Sequence, residues 1–149
     1  MPAALIDTNV LVYAYDRGEY AKQQQAIQVL ESLQTTGFGR LSAQSLGEFF
    51  SATTKGKQPI LTIQQAAEQV VDLAQTWQVF DLTSQVVLEA ARGVRDHQFS
   101  FWDAQIWAVA RLNQIPLVLT EDFQTGAVVE GVRFLNPFEP AFDLRAVLS

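Results

Sequence analysis

Apolar residues fall into two kinds of segment along this chain. Short, mainly apolar runs at residues 3–6, 79–82, 116–119 and 132–135 predict strands, and residues 39–43 are a further brief strand candidate. Longer segments place apolar residues every three or four positions and predict helices over residues 20–33, 44–54, 62–77, 83–94 and 100–112. Ala26, Ile27, Val29, Leu30 and Leu33 mark the first of these, and Leu46, Phe49 and Phe50 the second. A turn and a short helix follow the first strand directly, Thr62 is a candidate cap, Thr36-Gly37 closes a helix, and residues 55–59 form a polar loop. Strands that are apolar at every position must be covered on both faces. The alternation therefore predicts one domain over residues 1–149, a three-layer α/β/α sandwich around a central parallel sheet. No internal repeat, low-complexity segment or linker interrupts it.

Composition narrows the functional classes. With 48% hydrophobic residues in 149, the chain can bury a core without staples. The absence of cysteine excludes disulfides, thiol catalysis and thiolate metal sites, and fits a reducing cytoplasm. The start has no basic region and its apolar run stops at Asp7, unlike a signal peptide, and stretches such as 104–110 are too short to cross a bilayer. Sixteen acidic against ten basic residues give a net charge of −6, the wrong sign for nucleic-acid binding through a broad basic face. Metal reverses the charge of its own site, and Lys55, Lys57, Arg92 and Arg95 are candidates to hold phosphates.

The candidate chemistry lies in the acids. Asp7 follows the first strand and Asp122 stands just beyond the strand at 116–119, so in an open α/β sheet both face the crevice at the carboxyl ends. Three of the acids also have an ordinary explanation, which is the better one for any of them alone. Asp7 suits a helix N-cap, and Ser45-Leu-Gly-Glu48 and Ser100-Phe-Trp-Asp103 match the capping box. Asp103, however, opens a helix whose next seven residues carry one polar side chain, so its start is expected to be buried with few cations close by. Acids gathered in one cleft repel unless a cation holds them, and hard oxygen ligands suit Mg²⁺ or Mn²⁺. Zinc is disfavoured by the missing cysteines and the single histidine, His97, expected on a surface loop in a solvated or hydrogen-bonded structural role. One or two such ions would activate water for phosphodiester hydrolysis. Asn9, Ser100 and Thr120 are candidates to orient these ligands, beside their ordinary roles in caps and turns.

On these residues the sequence resembles the PIN-domain nucleases, and within them the VapC-type toxins of toxin–antitoxin pairs. Leu-Ile-Asp7-Thr8-Asn9-Val-Leu, Ser-Leu-Gly-Glu48-Phe, Ser100-Phe-Trp-Asp103-Ala-Gln-Ile and Leu-Thr120-Glu121-Asp122-Phe-Gln-Thr-Gly carry the likeness in order, with Glu130-Gly-Val-Arg-Phe-Leu-Asn136-Pro-Phe as the closing strand. The resemblance implies Mg²⁺- or Mn²⁺-dependent endoribonuclease activity on cellular RNA, with Asp7, Glu48, Asp103 and Asp122 at the metal and Asn9 in support. It further implies a homodimer and a small antitoxin that covers the site. Between neighbouring acids it favours Asp122 for the metal, with Glu121 exposed.

Two rival readings remain. A phosphoaspartate-forming enzyme with Asp7 as nucleophile needs a lysine after a later strand, and no lysine follows Leu119; Asn9 also stands where a second aspartate is required. No phosphate-binding Gly-x4-Gly-Lys-Ser/Thr loop is present. The other rival is a catalytically inert module of the same fold that binds RNA or peptide in its acidic pocket.

Overall fold

A computed structural model describes residues 2–148. The strands are β1 (Ala4–Ile6), β2 (Gly39–Ser42), β3 (Gln78–Phe80), β4 (Leu117–Leu119), β5 (Val128–Val129) and β6 (Val132–Leu135). They form one sheet in the order β3-β2-β1-β4-β6-β5, parallel throughout except where β5 meets β6. The helices are α1 (Thr8–Tyr13), α2 (Tyr20–Thr36), α3 (Ala43–Thr54), α4 (Ile63–Thr76), α5 (Ser84–His97), α6 (Phe101–Leu112) and α7 (Leu144–Leu148).

Side chains alternate across a strand, and here both faces are dry. Ala4, Ile6, Leu117, Leu119 and Leu135 pack with Val10, Leu11, Val29, Leu33, Phe49 and Leu73 of the helices on one face. Leu5, Val118 and Phe134 turn the other way, onto Val86 and Ala90 of α5 and Ile106 and Trp107 of α6. These are the expected three layers. Residues Ala104 to Ala110 of α6 are all buried, Gln105 among them. A Cβ at Gly93 would stand 2.7 Å from the Trp107 ring, so the missing side chain lets α5 approach α6.

Helix boundaries differ from the sequence expectation in an informative way. Thr62 caps α4 with a complete capping box to Gln65, and Ser100 caps α6 by accepting from Asp103 N. Ser45 does not cap: α3 begins earlier, with Ser42 accepting from Ser45 N, so Glu48 lies inside the helix and its capping explanation falls. The α5 helix runs on to His97, which is half-buried rather than on an exposed loop. Its Nε2 is 2.6 Å from a Glu130 carboxylate oxygen and its ring meets Phe99 and Trp107. Short elements β5 and α7 have no counterpart in the sequence pattern.

Connections from β1 lead to β2 on one side, and β4 lies on its other side. At that switch point the crevice opens beyond Ile6 and Leu119. Asp7 N donates to Leu119 O and Thr120 N to Leu135 O, each at 3.0 Å, so the chain just past both strands is still tied to the sheet.

Candidate functional site

Asp7 caps α1 and is the most buried of the four acids, with 8% of its surface exposed. Thr8 N donates to its Oδ1 and Thr120 Oγ1 to its Oδ2, both at 2.7 Å. Burial pushes its carboxyl up to about 6, against the pull of those two hydrogen bonds and with the help of the charges on Asp122 and Glu48. The Thr120 hydroxyl gives its one hydrogen to Asp7 and accepts from Asn9 Nδ2 at 3.2 Å and Asp122 N at 3.1 Å. Asn9 Nδ2 also donates to Asp122 Oδ2 at 3.1 Å. Thr120 and Asn9 thus join Asp7 and Asp122 into one frame.

Glu48 enters from α3. Thr8 Oγ1 donates to its Oε1 at 3.0 Å and Gln44 Nε2 at 3.1 Å. Gln44 also donates to Trp102 O at 3.3 Å and accepts from Gln105 Nε2 at 2.8 Å, which links Glu48 to α6. Asp103, in the first turn of α6, is half-buried. Desolvation raises its carboxyl, the Ser100 hydroxyl opposes that, and the charges on Asp122 and Glu48 add to it. The charges of Glu48 and Asp122 therefore bear on both Asp7 and Asp103. Among the described residues none of them is ion-paired to lysine, arginine or histidine.

The donor set, carboxylates with neutral hydroxyl and amide neighbours, fits a hard divalent cation and not a soft one. Among the described residues no three acids or histidines stand close enough to clasp one ion between them as placed. Asp7 is buried and held at both oxygens, whereas Glu48 and Asp122 are exposed, each held at one oxygen by neutral donors and with the other oxygen open.

Other candidates lie differently. Lys55 and Lys57 are exposed on the loop after α3. Arg92 is committed to Glu89, Asp96 and Glu130, and Arg95 to Asp96. Glu121 is not exposed as expected: it is half-buried, accepting from Tyr13 Oη at 2.7 Å and from Lys22 Nζ at 3.0 Å, so its carboxylate is already matched. Sequence reasoning also passed over Gln44 and Gln105, and left Thr8 to ordinary capping. The signal for Gln105 was present, because it is the one polar side chain in an otherwise apolar helical stretch.

A PIN-domain family model matches residues 4–128. No curated protein sequence matches the chain significantly. Among solved structures, a toxin–antitoxin complex from Klebsiella pneumoniae superposes with a TM-score of 0.67 at 19% identity, covering 92% of this chain and 99% of that one. VapC20 of Mycobacterium tuberculosis, described as a toxin cleaving the sarcin–ricin loop, gives 0.64 at 21% identity, over 88% and 99%. VapBC2 of Rickettsia felis, bound to a DNA fragment from its promoter, gives 0.66 at 14% identity, over 90% and 98%. At these identities the likeness is one of fold.

Proposed function

The chain belongs to the PIN-domain family, and on that premise we propose that it is a metal-dependent endoribonuclease, the toxin of a toxin–antitoxin pair. The observation that carries this reading is the frame at the sheet's switch point, where the charges of Glu48 and Asp122 bear on both Asp7 and Asp103 with no lysine, arginine or histidine ion-paired to any of the four among the described residues. Structural neighbours that include toxins, one of them described as cleaving the sarcin–ricin loop, favour the same reading.

Mg²⁺ or Mn²⁺ would be held by these four carboxylates, supplying charge that acidifies the attacking water and offsets the negative charge developing on the phosphoryl oxygens. The chain's own groups prepare that site. Thr8 and Thr120 fix the two oxygens of Asp7, Asn9 fixes Asp122, and Gln44 fixes Glu48. Above pH 6 Asp7 is mostly ionised and able to ligate, despite its burial. An acidic crevice of this kind also suits a basic segment of an antitoxin, and a homodimer acting in the cytoplasm completes the proposal. No helix among the described residues is long and apolar enough to cross a membrane.

The test is cleavage of an RNA panel with Mn²⁺, with and without chelator, beside Mn²⁺ titration of the protein. Asp103→Asn is expected to lower cleavage by more than about 100-fold, and Asp7→Asn to abolish Mn²⁺ binding at neutral pH. Cleavage that survives both chelator and Asp103→Asn, or wild-type protein that binds no Mn²⁺, overturns the reading. Metal binding without cleavage would leave an RNA- or peptide-binding module.

A further inference from the structure

Trp102 adjoins the crevice in sequence and through its carbonyl, and this reading does not yet use it. It stands in the first turn of α6, directly before Asp103, and is 63% exposed. The other two tryptophans are withdrawn, Trp107 completely and Trp77 in part. Leaving an indole in water forfeits one of the largest burial gains a side chain can make, so an exposed one beside a reactive centre calls for an occupant. Its indole nitrogen makes no hydrogen bond among the described residues. The ring has one packed neighbour, and the backbone beneath it is tied to the site. Phe101 meets it edge-on at 5.4 Å and 78°, and the Trp102 carbonyl accepts from Gln44, the same amide that donates to Glu48.

Charge makes the need for such a surface specific. The chain carries a net charge of −6, and Arg92 and Arg95 are committed to acids of their own. Phosphate contacts can thus supply only part of RNA affinity, whereas stacking on an aromatic ring needs no charge. We propose that Trp102 is the platform on which an unpaired RNA base stacks next to the bond to be cut, so that single-stranded RNA is selected beside the acids. A base inside a duplex already has both faces covered and cannot lie on the ring without being unstacked. The inference rests on the nuclease reading for its ligand.

The experiment uses the full chain in EDTA, so that RNA is held and not cut, with a fluorescein-labelled unstructured oligoribonucleotide of about 12 nucleotides and an abasic oligomer of equal length. Trp102→Leu is expected to weaken binding of the base-bearing oligomer about 5- to 150-fold, the equivalent of about 1–3 kcal/mol. The abasic oligomer should bind both proteins alike, Trp102→Phe should restore most of the affinity, and the slope of binding against salt should not change. RNA should quench wild-type indole emission and leave that of Trp102→Leu unaltered. With Mn²⁺ present, Trp102→Leu should raise KM with little change in kcat or in Mn²⁺ affinity, which loss of structure would not do. Equal affinity of wild type and Trp102→Leu for the base-bearing oligomer, or an equal loss with the abasic one, overturns the proposal and leaves the ring as a surface for a protein partner. Should stacking hold while wild-type protein cuts no RNA, the nuclease reading alone fails.

Discussion

Two regions of this protein are rich in acids, and the fold treats them in opposite ways. At the far end of α5, Glu89, Asp96 and Glu130 are met by Arg92, Arg95, Arg111 and His97. The Arg92 guanidinium and the His97 ring hold the Glu130 carboxyl down at about 2. In the crevice, Asp7 is pushed up to about 6 by burial, with acids and no cation beside it. Residue type is the same; what differs is whether the fold supplies the counter-charge. On the proposed reading, acids that serve the structure come with their own cations, and acids kept for chemistry are left to take one from outside.

The largest effect expected, beyond removal of an acid itself, comes from dismantling the crevice's neutral scaffold. Asn9→Ala removes the amide that holds Asp122 and Thr120 while leaving every charge in place. Loss of such a ligand-orienting contact typically lowers metal affinity or activity about 10- to 100-fold. We expect kcat/KM on RNA and Mn²⁺ affinity to fall together by that amount, with the melting temperature little changed. Cleavage within about twofold of wild type would show that the acids need no scaffold, and the contrast between the two regions would reduce to charge alone.

A second substitution tests stability. A carboxyl whose pKa rises from 3.8 to about 6 on folding binds more protons folded than unfolded between those values, so ionising it costs stability as pH climbs through that window. At about 1.4 kcal/mol per pH unit the cost approaches 3 kcal/mol above pH 6. Asp7→Asn keeps a good N-cap and removes the charge. It should therefore stabilise the metal-free protein at pH 7 by about 1–3 kcal/mol, the lower figure if the Thr120 hydroxyl must reorient. The gain should vanish below about pH 4, and added Mn²⁺ should stabilise wild type only. Urea unfolding at several pH values measures this; a destabilised Asp7→Asn protein at pH 7 would mean that the buried acid is structural after all.

How far the sequence foretold this arrangement depends on the range of the interaction. The sheet was legible because β1 and β4 are buried on both faces and so are apolar without a break, with β6 interrupted only by the exposed Arg133, and the paired acids at β1 and β4 followed from where strands end. The β5 strand spans only Val128–Val129, too short for any period to show. Ser45-Leu-Gly-Glu48 fits the capping pattern as well as Ser42 fits the real cap, and only the end of β2 decides between them. Arg92 and Arg95 looked free for phosphate, yet Glu89 at i−3 and Asp96 at i+4 and i+1 were visible partners. Glu130, contacted from 38 residues away, and the Lys22–Glu121 pair, 99 residues apart, were not, since nothing local encodes them.

The smallest effect expected is also the one that sets the two regions directly against each other. Glu130 is ordinarily a carboxyl of about 4.5 and is held at about 2 here, so its ion pairs contribute stability that is present above pH 4.5 and is lost as pH falls through 2. Its side chain is 30% exposed, and screened pairs of this kind contribute far less than the shift alone suggests, about 1 kcal/mol. Glu130→Gln keeps the size of the side chain and meets the same left-handed backbone, φ 48°, so strain does not change. It should lower stability at pH 7 by about 1 kcal/mol, with the loss shrinking near pH 2 and in molar salt. Neutralising an acid would then destabilise one region and stabilise the other at the same pH. If Asp7→Asn and Glu130→Gln shift stability with the same sign at pH 7, the difference does not lie in counter-charge, and the crevice loses its claim to be waiting for a cation.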